Sequence, residues 1–402
     1  MSTPASLPEA EATTPEATEP ARPPGLYPVS DDELAVGDPV PASLWSAEGI
    51  LLLPKGSVIA TESQRATLLA RGHWHDPGLA PWSQEARVQV TYSDREDPFD
   101  LLAGLPDHIT QIQQAALTAW ESEAPATDEF TFTFERLISK VESLTRQWPD
   151  PMLAAAHRPH ANLPYSTHHP LDQALVLGVV GHEQGFDAPH RRAMIGAAFL
   201  ADVALYPIRD TLHEAAAPLT DAGRERLAHH PRQSRAIAAH AGVTDPLLLY
   251  LVEHHHDRSA ADADLPAEQE ILAFADAYTA MLHPRGDRAG RDACTCFRVS
   301  LAQDGHPPER VRAIVATLGF YPPGSSVELT DGRFGVVTER GETPAAGAGV
   351  IALNASGHPI GNRLPAFTED DGPGIQSIAG AHCLPNAAVS HFYGEWARAR
   401  AT

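Results

Sequence analysis

Positive charge is scarce in this chain of 402 residues. Lys and Arg total 29 against 52 Asp and Glu, a formal charge of −23. Polyanions reward positive charge, so nucleic acid and anionic membrane surfaces are poor partners for it. Cysteine is rarer still. Cys294, Cys296 and Cys383 are too few, and odd in number, for a disulfide framework. Cys294 and Cys296 are close enough in sequence to share a metal, but they read first as ordinary reduced thiols. No apolar run reaches the ~18 residues of a membrane span. The N-terminus has neither a basic flank nor an apolar h-region, so no signal peptide is expected and the location is read as cytoplasmic.

What the chain does have is apolar residues, 43% of the total, enough for a sizeable core. Residues 1–24 are Pro, Ala, Glu and Thr and read as a disordered tail. Residues 25–82 read as a small α+β module. Strands are expected at Leu34–Asp38 and Gly49–Gly56, and a helix at Thr61–Gly72 with Thr61 as N-cap and Gly72 past its end. Residues 83–97 are polar, as a linker is. Residues 98–150 form a helical connector, with apolar stripes at Leu101, Leu102, Leu105, Ile109, Ile112 and Leu117 and again at Phe134, Leu137, Ile138, Val141 and Leu144. Such stripes suit core packing or pairing of two protomers in a homodimer.

The predicted fold class is mainly α: a helical bundle over residues 151–320, flanked by the N-terminal module and by a β-hairpin segment over 321–365. Ser326–Leu329, Asp331-Gly332 and Phe334–Val337 have the strand, turn and strand pattern of a hairpin. Val350–Leu353 with His358–Ile360 suggests another, and 366–402 reads as a loosely ordered tail. Arg191–Leu205 reads as one apolar helix carrying a lone carboxylate, Asp202, which should have a partner or a metal. His229-His230-Pro231 is expected to interrupt the next helix.

Across the bundle, His169, Asp202, His230, His255, His256 and Asp276 recur at helices or their ends. Imidazole and carboxylate hold divalent Fe, Mn or Zn, so the six are candidate ligands of a dinuclear metal site. Each has a plain alternative: an exposed member of the His168-His169 pair, a His-Pro helix boundary, a solvated helix end, a local ion pair. Their joint placement favours the metal. Adjacent side chains inside a helix diverge by about 100°, so His255 and His256 can share a site only where their helix ends, and Asp257-Arg258-Ser259 looks like such an end.

With these residues in place, residues 165–337 resemble the HD-GYP family, a branch of the HD-domain metal-dependent phosphohydrolases. The likeness lies in Ala197-Ala-Phe-Leu-Ala-Asp202, Pro218-Leu-Thr220, His230-Pro231, the histidine doublet, Leu265-Pro266, Ile271–Met281 and Tyr321-Pro-Pro-Gly324. The resemblance implies that His169, Asp202 and Asp276 serve one metal and that His230, His255 and His256 serve a second, with Asp202 bridging. It implies cyclic di-GMP as the substrate, hydrolysed by an activated water, in a bacterial signalling protein. Three departures qualify this. Ala201 stands where the family has the histidine of its His-Asp pair, Leu205 stands where it has a lysine, and residues 258–264 lack its Gly-Tyr-Pro loop. They point to a degenerate, metal-binding regulatory module that engages cyclic di-GMP or a protein partner with weak or no hydrolysis. The alternative is an active phosphohydrolase acting on cyclic di-GMP or another phosphoester.

Overall fold

Helix α6 (Tyr165–Glu183) is buried on every face from Tyr165 to Gly181, apolar from Ala174 onward and carrying buried His168, His169, Asp172 and Gln173 in its first half. Around it stand α3 (Leu105–Glu121), α4 (Asp128–Gln147), α5 (Pro149–His157), α7 (Ala188–Leu200) and α11 (Ala267–Leu282). Short α2 (Pro98–Ala103), α8 (Tyr206–Glu214), α9 (Asp221–His240), α10 (Pro246–His254), α12 (Ala293–Ala302) and α13 (Pro308–Leu318) complete the bundle. This computed structural model describes residues 26–28, 34–38, 40, 44–45, 51–53, 57–71, 73–75, 98–158, 163–215, 220–257, 265–302, 308–341, 348–353 and 374–378. No described helix is long and apolar enough to cross a membrane. The expected Gly-Tyr-Pro position, the 1–24 tail, Gly72, Pro218, His358–Ile360 and Cys383 lie outside the described residues.

The stripes of 98–148 do not form a face for a second copy. Leu101, Leu105, Ile109, Ile112, Phe134, Leu137, Ile138, Val141 and Leu144 are buried in the same core as α6, α7 and α11. The predicted helix over 191–205 is also shorter than expected. α7 stops at Leu200, a single 3-10 turn follows at Val203–Leu205, and α8 starts at Tyr206 with Pro207 in its first turn, where a missing N–H costs nothing. Asp202 sits in that break. α9, by contrast, runs unbroken through Pro231. Proline at 231 cannot donate to the carbonyl of Leu227, and the ring Nδ1 of His230 takes that carbonyl instead at 2.6 Å. The expected interruption is thereby repaired from within the helix.

The N-terminal module is an antiparallel sheet of β1 (Leu26–Pro28), β2 (Leu44–Trp45), β3 (Leu51–Leu53) and β4 (His73–His75), in the order β1-β4-β2-β3, beside α1 (Glu62–Arg71). Residues 34–38 form a turn rather than the predicted strand, with Gly37 at positive φ and its amide bonded to the Ile59 carbonyl. Thr61 caps α1 by accepting the Gln64 amide, as predicted. The module is tied to α4 by Asp38, whose carboxylate meets Arg136 and, at 2.9 Å, Lys140. Burial raises the Asp38 pKa, but the two cations more than offset it and leave it at about 2, against an ordinary 3.8. A folded pKa below the unfolded one gives stability that is present above about pH 4 and lost as pH falls toward 2. The expected loss is about 2 kcal/mol in all, roughly half of it gone by pH 3. Urea midpoints at pH 6 and pH 3 check this against Asp38→Ala, which should lack that component.

The C-terminal segment is a four-stranded sheet rather than hairpins alone. Its order is β7-β6-β5-β8, from β5 (Ser326–Leu329), β6 (Phe334–Glu339), β7 (Gly349–Leu353) and β8 (Ile375–Ile378). β5 and β6 make the predicted hairpin, with Gly332 at φ 82°. β8, in the stretch expected to be loose, pairs with β5. Arg340 fastens this sheet to the bundle, reaching Asp150 on α5 at 2.5 Å and Glu183 on α6 at 3.1 Å.

Candidate metal centre

The structure brings all six predicted side chains to one place. His169 on α6 contacts Asp276 on α11 through Nε2–Oδ1 at 3.1 Å, and the other Asp276 oxygen is 3.4 Å from His256 Nδ1. The His256 ring lies 4.0 Å from that of His255 and 5.0 Å from that of His230. His230 Nε2 is 3.2 Å from His255 Nε2 and 3.1 Å from Asp202 Oδ1. α10 ends at His254, with His255 as its C-cap, so the doublet escapes helical divergence as expected.

The tautomers follow from the backbone. His230 Nδ1 faces the Leu227 carbonyl at 2.6 Å, and His255 Nδ1 faces the Val252 carbonyl at 2.7 Å. A carbonyl only accepts, so each Nδ1 carries a proton, and Nε2 is the ring atom of each that faces the other candidate ligands. Burial pushes His255 down to about 4, and the neighbouring His256 adds to this, so its ring is neutral near pH 7. His230, His255 and His256 with Asp202 therefore fit a divalent metal held by nitrogen and oxygen.

The other half of the cavity is differently furnished. Ala201 offers no ligand. Gln173, one turn beyond His169, donates its amide to Asp276 Oδ1 at 2.7 Å and lies 3.0 Å from His169 Nε2. Arg209 on α8 pairs with Asp202 Oδ2 at 2.7 Å and lies over the Tyr165 ring at 4.9 Å. Tyr165 in turn stacks on His169, ring centroids 4.7 Å apart. Burial raises the pKa of both carboxylates. Arg209 and His230 nevertheless hold Asp202 well below the ordinary range, while His169 and His256 do the same for Asp276. Both stay ionised.

Leu205, where the sequence lacks the expected lysine, is buried in the 3-10 turn. Arg209, four residues on, is the cation that meets Asp202. Sequence reasoning missed Arg209, Gln173 and Tyr165. Gln173 and Tyr165 were visible in outline, since each lies one helical turn from His169. Arg209 was not, because the break after α7 hides its spacing from Asp202. Cys294 and Cys296 take no part. Cys294 Sγ donates to the Phe320 carbonyl, and burial pushes the Cys296 thiol up to about 12.

Two known proteins are similar to parts of this chain. A solved structure, an HDG"Y"P protein from Bdellovibrio bacteriovorus, superposes with a TM-score of 0.41 and 11% identity, covering 71% of this chain and 97% of that one. A cyclic di-GMP phosphodiesterase of Pseudomonas aeruginosa is 29% identical over 153 residues, 36% of this chain and 37% of the relative. The chain spans little more than a third of that relative's length. No family model matches it. Among the described residues, His230, His255 and His256 form a group that could hold a metal ion.

Proposed function

We propose that the chain is a regulatory HD-GYP module that binds one divalent Fe, Mn or Zn ion at His230, His255, His256 and Asp202 and engages cyclic di-GMP with little or no hydrolysis. The observation that carries this reading is the state of the two carboxylates. Asp276 accepts from Gln173 and Asp202 pairs with Arg209. Each therefore already has a protein donor, and Ala201 supplies no further ligand, so a second metal must compete with those donors. The ion at the histidine-rich half would supply Lewis acidity toward a phosphate oxygen and a lowered pKa for a bound water. The chain's own part is to hold His230 and His255 in the ligating tautomer through Leu227 and Val252, and to keep Asp202 charged through Arg209.

The test is elemental analysis of wild type beside a His255→Ala/His256→Ala double variant. The variant is expected to lose one metal equivalent per chain. Equal content in the two proteins would overturn the assignment.

The second reading, an active phosphohydrolase, has one observation in its favour. Arg209 supplies at this site a cation that Leu205 cannot. Turnover measurements separate the two readings, as argued below.

A further inference from the structure

A second group of ligating side chains lies on the same two helices, away from the first. His168 and Asp172 stand one turn apart on α6, and His283 caps the C-terminal end of α11. Asp172 is fully buried, His283 is 4% exposed and His168 is 8% exposed. His168 Nδ1 lies 3.2 Å and His283 Nε2 2.8 Å from the same oxygen, Asp172 Oδ2. All three ligand atoms fall within 4.8 Å of one another, as do those of His230, His255 and His256. Metal bonds of ~2.0–2.1 Å at tetrahedral angles give ligand–ligand edges of about 3.3 Å. The i, i+4 spacing of His168 and Asp172 puts both on one helix face, the spacing by which paired ligands on other metal-binding helices converge. The rings are held in place, His168 edge-to-face against Tyr165 at 5.2 Å and against His283 at 4.7 Å. His283 is seven residues past Asp276, roughly 10 Å along the helix axis at 1.5 Å per residue. The two groups share no residue.

We propose that His168, Asp172 and His283 bind a second, structural divalent cation of the zinc class, joining the first turns of α6 to the end of α11. Two imidazoles and one carboxylate suit zinc ahead of iron or manganese by intrinsic affinity, with water completing four-coordination. The buried carboxylate then has a full counter-charge, and the segment after α11 is fixed against α6.

The experiment uses the full chain carrying His255→Ala/His256→Ala, stripped with chelator and titrated with zinc against a chromogenic competitor. One zinc equivalent is expected to remain, with a melting temperature raised on zinc addition. Adding His168→Ala, the least buried of the three positions, should remove both. A stripped double variant that binds no zinc overturns the proposal, as does a retained equivalent that survives His168→Ala. Zinc-edge anomalous diffraction from wild-type crystals locates the ion without any variant. A peak between His168, Asp172 and His283 is expected, and a peak confined to His230, His255 and His256 overturns the inference. Because it is read apart from the first site, the result leaves the regulatory reading to its own test.

Discussion

Cyclic di-GMP incubated with the wild-type chain under anaerobic Fe(II) or Mn(II) loading is expected to turn over at about 10⁻³ per second or slower. A typical enzyme turns over at ~10 per second. Losing the stabilisation of charge that a second metal would provide costs ~10²–10³ in rate. Losing contacts that position the substrate costs ~10² more, and the Arg258–Asp264 stretch has no Gly-Tyr-Pro to make them. Arg209 does not restore the first loss, because its guanidinium is committed to Asp202 at 2.7 Å. Ala201→His should raise metal content yet leave turnover within about tenfold of wild type, since Gln173 still donates to Asp276 and the loop is still missing. Metal-dependent hydrolysis by the wild type near ordinary enzymatic rates would sink the regulatory reading and promote the active phosphohydrolase.

Asp38→Ala is expected to cost about 3–5 kcal/mol in unfolding free energy, a large change for an acidic residue outside the candidate metal site. Lys140, one of two lysines in the chain with Lys55, is 2% exposed and lies 2.9 Å from Asp38. Without the carboxylate, Lys140 is left buried beside Arg136, a like charge. The loss comes mostly from that stranded ammonium rather than from the bond itself, so Asp38→Ala/Lys140→Met should recover most of it. Urea denaturation of the two variants decides the matter. A single variant within about 1 kcal/mol of wild type would mean that Lys140 finds water or another partner.

The six ligand candidates were legible because each is chemically conspicuous against an apolar helix, and because their order survives whatever the loops do. The hairpin with Asp331-Gly332 was legible for a local reason, as was the Thr61 cap: turn and cap chemistry acts over three or four residues. Long-range chemistry stayed hidden. Pro231 looked like a helix breaker until His230 was seen to take the Leu227 carbonyl. Leu34–Asp38 has strand-like apolar residues, but Gly37 and the pull of Asp38 toward α4 bend it into a turn. β8 has only four residues and no hairpin partner next to it in sequence, so nothing local announced it. Arg209 escaped because the charge it replaces was sought at one position, while the break at Asp202 moved it to another.

The Arg340–Asp150 link has a consequence for how the chain is made. Asp150 lies at the start of α5, and burial raises its pKa even though Arg340 partly offsets the rise. That partner emerges 190 residues later. At synthesis rates of about 5–20 residues per second, the wait is roughly 10–40 s. During that interval the α5 end of the bundle has no sheet against it, and Asp150 must stay hydrated or protonated. The bundle's last surface can close only after nearly the whole chain has left the ribosome, so a chain ending before residue 340 would leave that end of α5 and α6 open.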